Sequence, residues 1–144
     1  SPDLIILDRN LKIKKNLSIF KKNYRRKVYI VTTSKHKKKI KLLKEKKVNI
    51  INVNSLNTAT EFKNFFINLK KNLYSRIFIE SGLTLLNFIL RNNLINNLYL
   101  FKSNKKLASN GLNNASISLL KKRKFLNKLN VNLDGESLYK IKIK

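Results

Sequence analysis

Apolar runs of strand length alternate along this chain with segments of helical periodicity. Leu4-Ile-Ile-Leu7 is fully apolar and stops at Asp8-Arg9-Asn10, the pattern of a buried strand followed by a turn. Residues 11–27 are polar and basic, with Leu17, Ile19 and Phe20 as the anchors of a loop crossing the surface. Val28-Tyr-Ile-Val31 predicts a second strand, and the hydroxyls of Thr32, Thr33 and Ser34 suit an N-cap. A helix is expected from there to about Lys47, burying Ile40 and Leu43, with a solvated lysine face and with His36 at the surface. Val48 to Val53 predicts a third strand. Thr58-Ala-Thr-Glu61 then has capping-box spacing, and Phe62, Phe65, Phe66, Leu69 and Leu73 fall on one face of the helix it opens.

The central stretch follows. Ile77-Phe-Ile79 is a short apolar run of strand type, Glu80-Ser81-Gly82 breaks it, and Thr84 to Leu90 continues as an apolar helix that stops at Asn92-Asn93. A strand that passes through a glycine turn into a helix leaves the first helical N–H groups unpaired, at the positive end of the dipole. That is a natural seat for phosphate or another anion. A carboxylate in the same turn would repel the anion, so Glu80 is expected to address a second chemical group. The plain alternative is an ordinary strand-to-helix turn with an exposed acid. Leu98-Tyr-Leu-Phe101 predicts a fifth strand, while residues 102–116, which include Gly111, give no regular signal. The chain closes as a hairpin: Leu129, Val131 and Leu133 alternate up to Asp134-Gly135, and Tyr139, Ile141 and Ile143 alternate after it. Together these elements predict one α/β domain spanning residues 1–144, a mostly parallel sheet flanked by helices with a C-terminal antiparallel hairpin. Ligands of such sheets bind beyond the carboxyl ends of the strands, where Asp8-Arg9, Thr32 to Ser34 and Glu80 to Thr84 lie.

Composition changes this picture little. The formal net charge of +26 would ordinarily point to nucleic acid. The cations are nearly all lysine, however, and accompany abundant Asn and Ile, the signature of an A/T-rich coding bias. Arginine, the residue of bidentate phosphate and base contacts, is scarce. Specific nucleic-acid binding is therefore not expected, although a basic surface favours any polyanion. With no Cys, one His and seven acids, neither a disulfide framework nor a protein-built metal centre is expected. No apolar run is long enough to span a bilayer, so no membrane association is expected and the protein reads as soluble and cytoplasmic. The opening Ser-Pro suggests a piece of something longer.

Ile79-Glu-Ser-Gly-Leu-Thr-Leu85, the following helix, Leu94-Ile-Asn-Asn-Leu98 and the upstream Leu4-Ile-Ile-Leu-Asp8 occur in an order and spacing that carry a resemblance. They resemble the reductase domain of the bifunctional riboflavin-biosynthesis deaminase-reductase. That family has Val-Glu-Gly-Gly-Pro-Thr-Leu, then a helix and Leu-Val-Asp-Glu-Leu, and an upstream Val-Val-Leu-Asp. The resemblance implies a dihydrofolate-reductase-like fold and NADPH-dependent reduction of 5-amino-6-(5-phosphoribosylamino)uracil, a pyrimidine ribosyl-phosphate. It implies that Glu80 meets the substrate and that the cofactor's pyrophosphate region lies at Gly82, Leu83, Thr84, Leu85 and Leu86. It also places the residue after the strand-end Asp, here Arg9, near the cofactor, where the side chain either pairs with the 2′-phosphate or is a plain surface arginine. A homodimer and an upstream zinc deaminase domain are implied as partners. The chain departs from the family at Ser81 and Leu83, at Asn96-Asn97 and around Lys102-Ser103, and it corresponds to the later part of the reductase domain. Without the opening part of that domain, the chain alone is not expected to turn over the pyrimidine. Two other readings remain at this stage: a basic nucleic-acid-binding α/β module, and an α/β domain that binds a partner and has lost activity.

Overall fold

A computed structural model describes residues 2–20, 26–103, 118–131 and 133–144. Most of the irregular stretch expected at 102–116 lies outside the described residues. The chain forms two compact units, Ser1–Glu61 and Phe62–Lys144.

In the first unit β1 (Leu4–Leu7), β2 (Val28–Thr32) and β3 (Val48–Asn52) form a parallel sheet in the order β1-β2-β3. The register pairs Ile6 with Ile30 and Ile30 with Ile50. β2 is central, and Val28, Ile30, Val31 and Thr32 are buried, which explains its unbroken apolar pattern. The helix α1 (Lys37–Glu45) connects β2 to β3 and buries Leu43, with Ile40 packed against the same core. Leu11 and Phe20 complete that core, with Ile13 and Ile19 beside them. The segment expected to cross the surface therefore contributes to the interior. It forms a 3₁₀ turn at Ser18–Phe20 and exposes Leu17 instead of anchoring through it.

Capping departs from expectation at α1 and agrees at the next helix. Thr32, Thr33 and Ser34 do not cap α1; the cap is the exposed His36, whose Nδ1 accepts the Lys39 N–H at 3.3 Å. The reason is that the threonine hydroxyls are committed to the backbone of Arg9, as described below. The helix α2 (Ala59–Lys71) opens with the expected capping box. Glu61 N–H donates to Thr58 Oγ1 at 3.3 Å, and Thr58 N–H donates to the Glu61 carboxylate at 2.9 Å. That carboxylate also accepts the Asn57 N–H at 2.8 Å and the Ser55 hydroxyl at 3.0 Å.

These donors favour the ionised form, with the Asn57 and Thr58 N–H groups first, and lower the Glu61 pKa from 4.5 to about 2. A depressed carboxylate stabilises the fold fully above its unfolded pKa, and that stability is lost as pH falls through the folded value. Glu61→Gln is therefore expected to lower the melting temperature at neutral pH. The gap to the parent protein should close between about pH 4.5 and about pH 2 in a melting series.

In the second unit α2 packs on α3 (Leu83–Arg91) through Phe62 and Phe88, whose ring centroids lie 5.1 Å apart. Phe62, Phe65 and Leu69 are buried, so the aromatic stripe is core packing, but Leu73 is 93% exposed and lies past the end of the helix. There it is the left-handed residue of a Schellman cap: its φ is 70°, Leu73 N–H donates to Lys70 O at 3.0 Å and Tyr74 N–H to Leu69 O at 3.1 Å. The same motif ends α3 at the expected place, with Asn93 at φ 49° and Leu94 N–H donating to Ile89 O at 3.1 Å.

The expected strand at Ile77–Ile79 does not form. Residues 74–80 pair with no strand among the described residues, and Phe78 is 72% exposed. The apolar run is present, but a strand also requires a neighbour to complete its ladder. The remaining strands form a separate antiparallel sheet in the order β4-β6-β5, from Asn97–Lys102, Lys128–Leu129 and Ser137–Lys142. The fifth expected strand is thus β4, running antiparallel to β6 rather than extending the parallel sheet. Asp134 at φ 46° and Gly135 at φ 88° form the expected hairpin turn, closed by Glu136 N–H to Leu133 O at 2.9 Å. A short helix, α4 (Ser118–Lys121), precedes the hairpin. The α/β class, with a parallel sheet flanked by helices and a C-terminal antiparallel hairpin, agrees with the sequence reading. The division into two three-stranded sheets was not foreseen.

Candidate functional site

At the carboxyl edge of the parallel sheet, the chain leaving β1 is fixed by its own backbone polar groups. Both Asp8 carboxylate oxygens accept N–H groups, from Lys12 at 2.9 Å and Ile13 at 2.7 Å. This holds the tight turn in which buried Leu11 adopts φ 51°. The Arg9 carbonyl accepts three bonds from the end of β2: Thr32 Oγ1 at 2.8 Å, Thr33 Oγ1 at 3.0 Å and Thr33 N–H at 3.1 Å. Thr32 is fully buried, so its hydroxyl needs this partner.

The Arg9 main chain is thus anchored while its side chain is exposed. Its guanidinium donates to Asn57 Oδ1 at 2.6 Å, the one partner it has among the described residues. Four of the five guanidinium N–H donors remain available for an anion. Asn57 is a contributor that the sequence reading missed, and the two threonines, expected at this edge, serve the Arg9 carbonyl. The hydroxyls at the strand end were the visible signal, and they were assigned to a helix cap.

In the second unit, Gly82 is the N-cap of α3, with φ −70° and ψ 167° and no side-chain cap. Leu86 N–H closes the first turn on Gly82 O at 3.1 Å. The N–H groups of Leu83, Thr84 and Leu85 precede the intrahelical ladder and have no acceptor among the described residues. No acidic residue occupies the first turn, so the positive end of the helix dipole is uncompensated there. Glu80, Ser81, Gly82 and Thr84 are exposed, while Leu83, Leu85 and Leu86 are half-buried.

The φ at Gly82 is one that any residue adopts, and a Cβ added there would meet nothing within 4 Å. Neither backbone strain nor packing accounts for a glycine at this position. It leaves open space directly before three free N–H donors, which fits a ligand phosphate approaching the main chain.

Glu80 and Gly82 to Leu86 are contiguous at the start of α3, and Arg9 belongs to the other unit. Glu80 has no hydrogen bond or ion pair among the described residues, so its carboxylate is free to accept from a ligand. No group of three metal-ligating side chains occurs among the described residues, and no described helix is long and apolar enough to cross a membrane. The family model described as the RibD C-terminal domain matches residues 1–107 of the chain. Comparison with curated proteins gives no match.

Proposed function

The chain belongs to the RibD C-terminal domain family, the reductase domain of riboflavin-biosynthesis deaminase-reductases with a dihydrofolate-reductase-like fold, and from that premise we propose that it serves NADPH-dependent reduction of 5-amino-6-(5-phosphoribosylamino)uracil. The observation that carries this reading is the start of α3. A glycine with no conformational or packing requirement stands there before three unengaged N–H groups, inside the matched region.

Gly82, Leu83, Thr84, Leu85 and Leu86 form the seat of the cofactor's pyrophosphate, which accepts from the free N–H groups of Leu83, Thr84 and Leu85. The exposed Arg9 guanidinium pairs with the 2′-phosphate, which favours NADPH over NADH. The nicotinamide supplies a hydride to the ribosyl group when bound. Glu80 accepts hydrogen bonds from the substrate's hydroxyl or N–H groups and so fixes the sugar. Residues 1–144 act as part of one reductase domain, in a homodimer whose full-length chain carries a zinc deaminase domain upstream.

Steady-state assays of the full-length protein, following loss of nicotinamide absorbance, test the assignment of Glu80. Glu80→Gln keeps the shape and removes the charge, so NADPH affinity should stay within about twofold while kcat/KM for the pyrimidine falls by about tenfold or more. A loss confined to NADPH binding would place Glu80 with the cofactor and refute this assignment.

A further inference from the structure

We propose that the hollow between residues 12–16 and the opening turns of α1 binds a compact polyphosphate anion, through Lys12, Lys14, Lys15 and Lys38. The hollow has a volume of about 520 Å³, within the range of small-molecule sites, and Asn16, His36 and Lys39 complete its polar lining. Its floor is aliphatic, made by Ile13 and half-exposed Leu42. Five lysines line it, largely through their aliphatic stems, and no carboxylate does. Of the two acids nearest in sequence, Glu45 does not line it, and Asp8 is committed through both oxygens to the N–H groups of Lys12 and Ile13.

The walls are braced independently of any ligand. Lys39 Nζ donates to the Leu11 carbonyl, and Lys46 Nζ donates to the Lys15 carbonyl at 2.7 Å, which ties the 11–15 segment to the helix. The lining carries several positive charges and no acid, so an anion placed there would be attracted by all of them. Arg9 does not line it, so the site is separate from the anchored arginine.

The chemistry of the lining selects the class of ligand. Lysine ammoniums are point charges that suit several oxygens spread over linked phosphates, not a planar bidentate partner. No phenylalanine, tyrosine or tryptophan lines the hollow, and the one imidazole, His36, is held at the helix cap by the Lys39 N–H, so a nucleic-acid strand is not the favoured occupant. The shared feature is a chain of phosphates, either free or as the tail of a nucleotide.

Isothermal titration of the chain with inorganic tripolyphosphate tests this. Two charge-matched variants are compared, both checked by circular dichroism: Lys12→Gln/Lys15→Gln/Lys38→Gln in the hollow, and Lys63→Gln/Lys70→Gln/Lys71→Gln on the exposed face of α2. The expected result is a tenfold or greater loss of affinity in the first variant and less than threefold in the second. Equal losses in the two variants would reduce the effect to net charge and overturn the proposal, as would the absence of saturable binding to the parent chain. Titration with ATP distinguishes the sources. Binding equal to tripolyphosphate assigns recognition to the phosphate chain alone, and tighter binding assigns it to a nucleotide tail.

Discussion

Gly82→Val is expected to lower NADPH affinity by about tenfold or more, equivalent to about 1.4 kcal/mol, with little change in the fold. The two halves of this expectation rest on the same geometry. The N-cap of α3 has φ −70° and ψ 167°, an extended conformation that a β-branched residue adopts without strain. A Cβ at this position meets no protein atom within 4 Å. The protein's own loss is then confined to the poorer capping of an aliphatic N-cap residue, about 1 kcal/mol or less. A branched side chain would nonetheless fill the space before the free N–H groups of Leu83, Thr84 and Leu85, where the account places the pyrophosphate. Gly82→Ala adds only a methyl group and should show the same effect in weaker form. An unchanged affinity in the valine variant would mean that phosphates do not approach α3 at its start.

The largest stability effect is expected from Ile30→Ala, at about 2–5 kcal/mol. Ile30 is fully buried at the middle of β2, with parallel neighbours on both sides, and it belongs to the core formed with Leu11, Phe20, Leu43 and Val48. Removing its branched side chain leaves a cavity that two flanking strands prevent from collapsing. Such a loss is a large share of the roughly 5–15 kcal/mol available to a domain. Phe78→Ala is the instructive control. Had the Ile77–Ile79 run formed a buried strand, removing the phenylalanine would cost about 3–5 kcal/mol. At 72% exposure it is expected to cost about 0.5 kcal/mol or less. Urea denaturation of both variants, followed by circular dichroism, reads the difference directly.

That contrast shows what the sequence carried and what it did not. Unbroken apolar runs at Leu4–Leu7 and Val28–Val31 were sufficient for strands, because these lie side by side in a parallel sheet whose central strand is almost wholly buried. Ile77–Ile79 has the same local signal without a partner among the described residues, and periodicity alone does not report pairing. The capping box at Thr58–Glu61 was legible because both partners lie within one helical turn. The role of Thr32 and Thr33 was not legible, since their hydroxyls reach the carbonyl of Arg9, more than twenty residues earlier. Leu73 misled for a related reason. It continues the helical stripe in register, but the chain has already turned into a left-handed cap there.

The candidate site divides in the same way. The break at Glu80-Ser81-Gly82 marked the start of α3 to within one residue, whereas the strand expected to lead into it does not form among the described residues. Arg9 was identified from the resemblance, while its link to Asn57, 48 positions later, depends on the sheet that brings the ends of β1 and β3 to one edge.

We propose that this reductase-family domain binds a nicotinamide cofactor and selects NADPH. Titration of the chain with NADPH and with NADH, followed by nicotinamide fluorescence, tests it most directly. The account predicts saturable binding of both, with NADPH about tenfold or more tighter, because the Arg9 guanidinium gains a charge-assisted pair with the 2′-phosphate. The preference should disappear in Arg9→Gln. No saturable signal from either nucleotide, in protein shown by circular dichroism to be folded, would contradict the account.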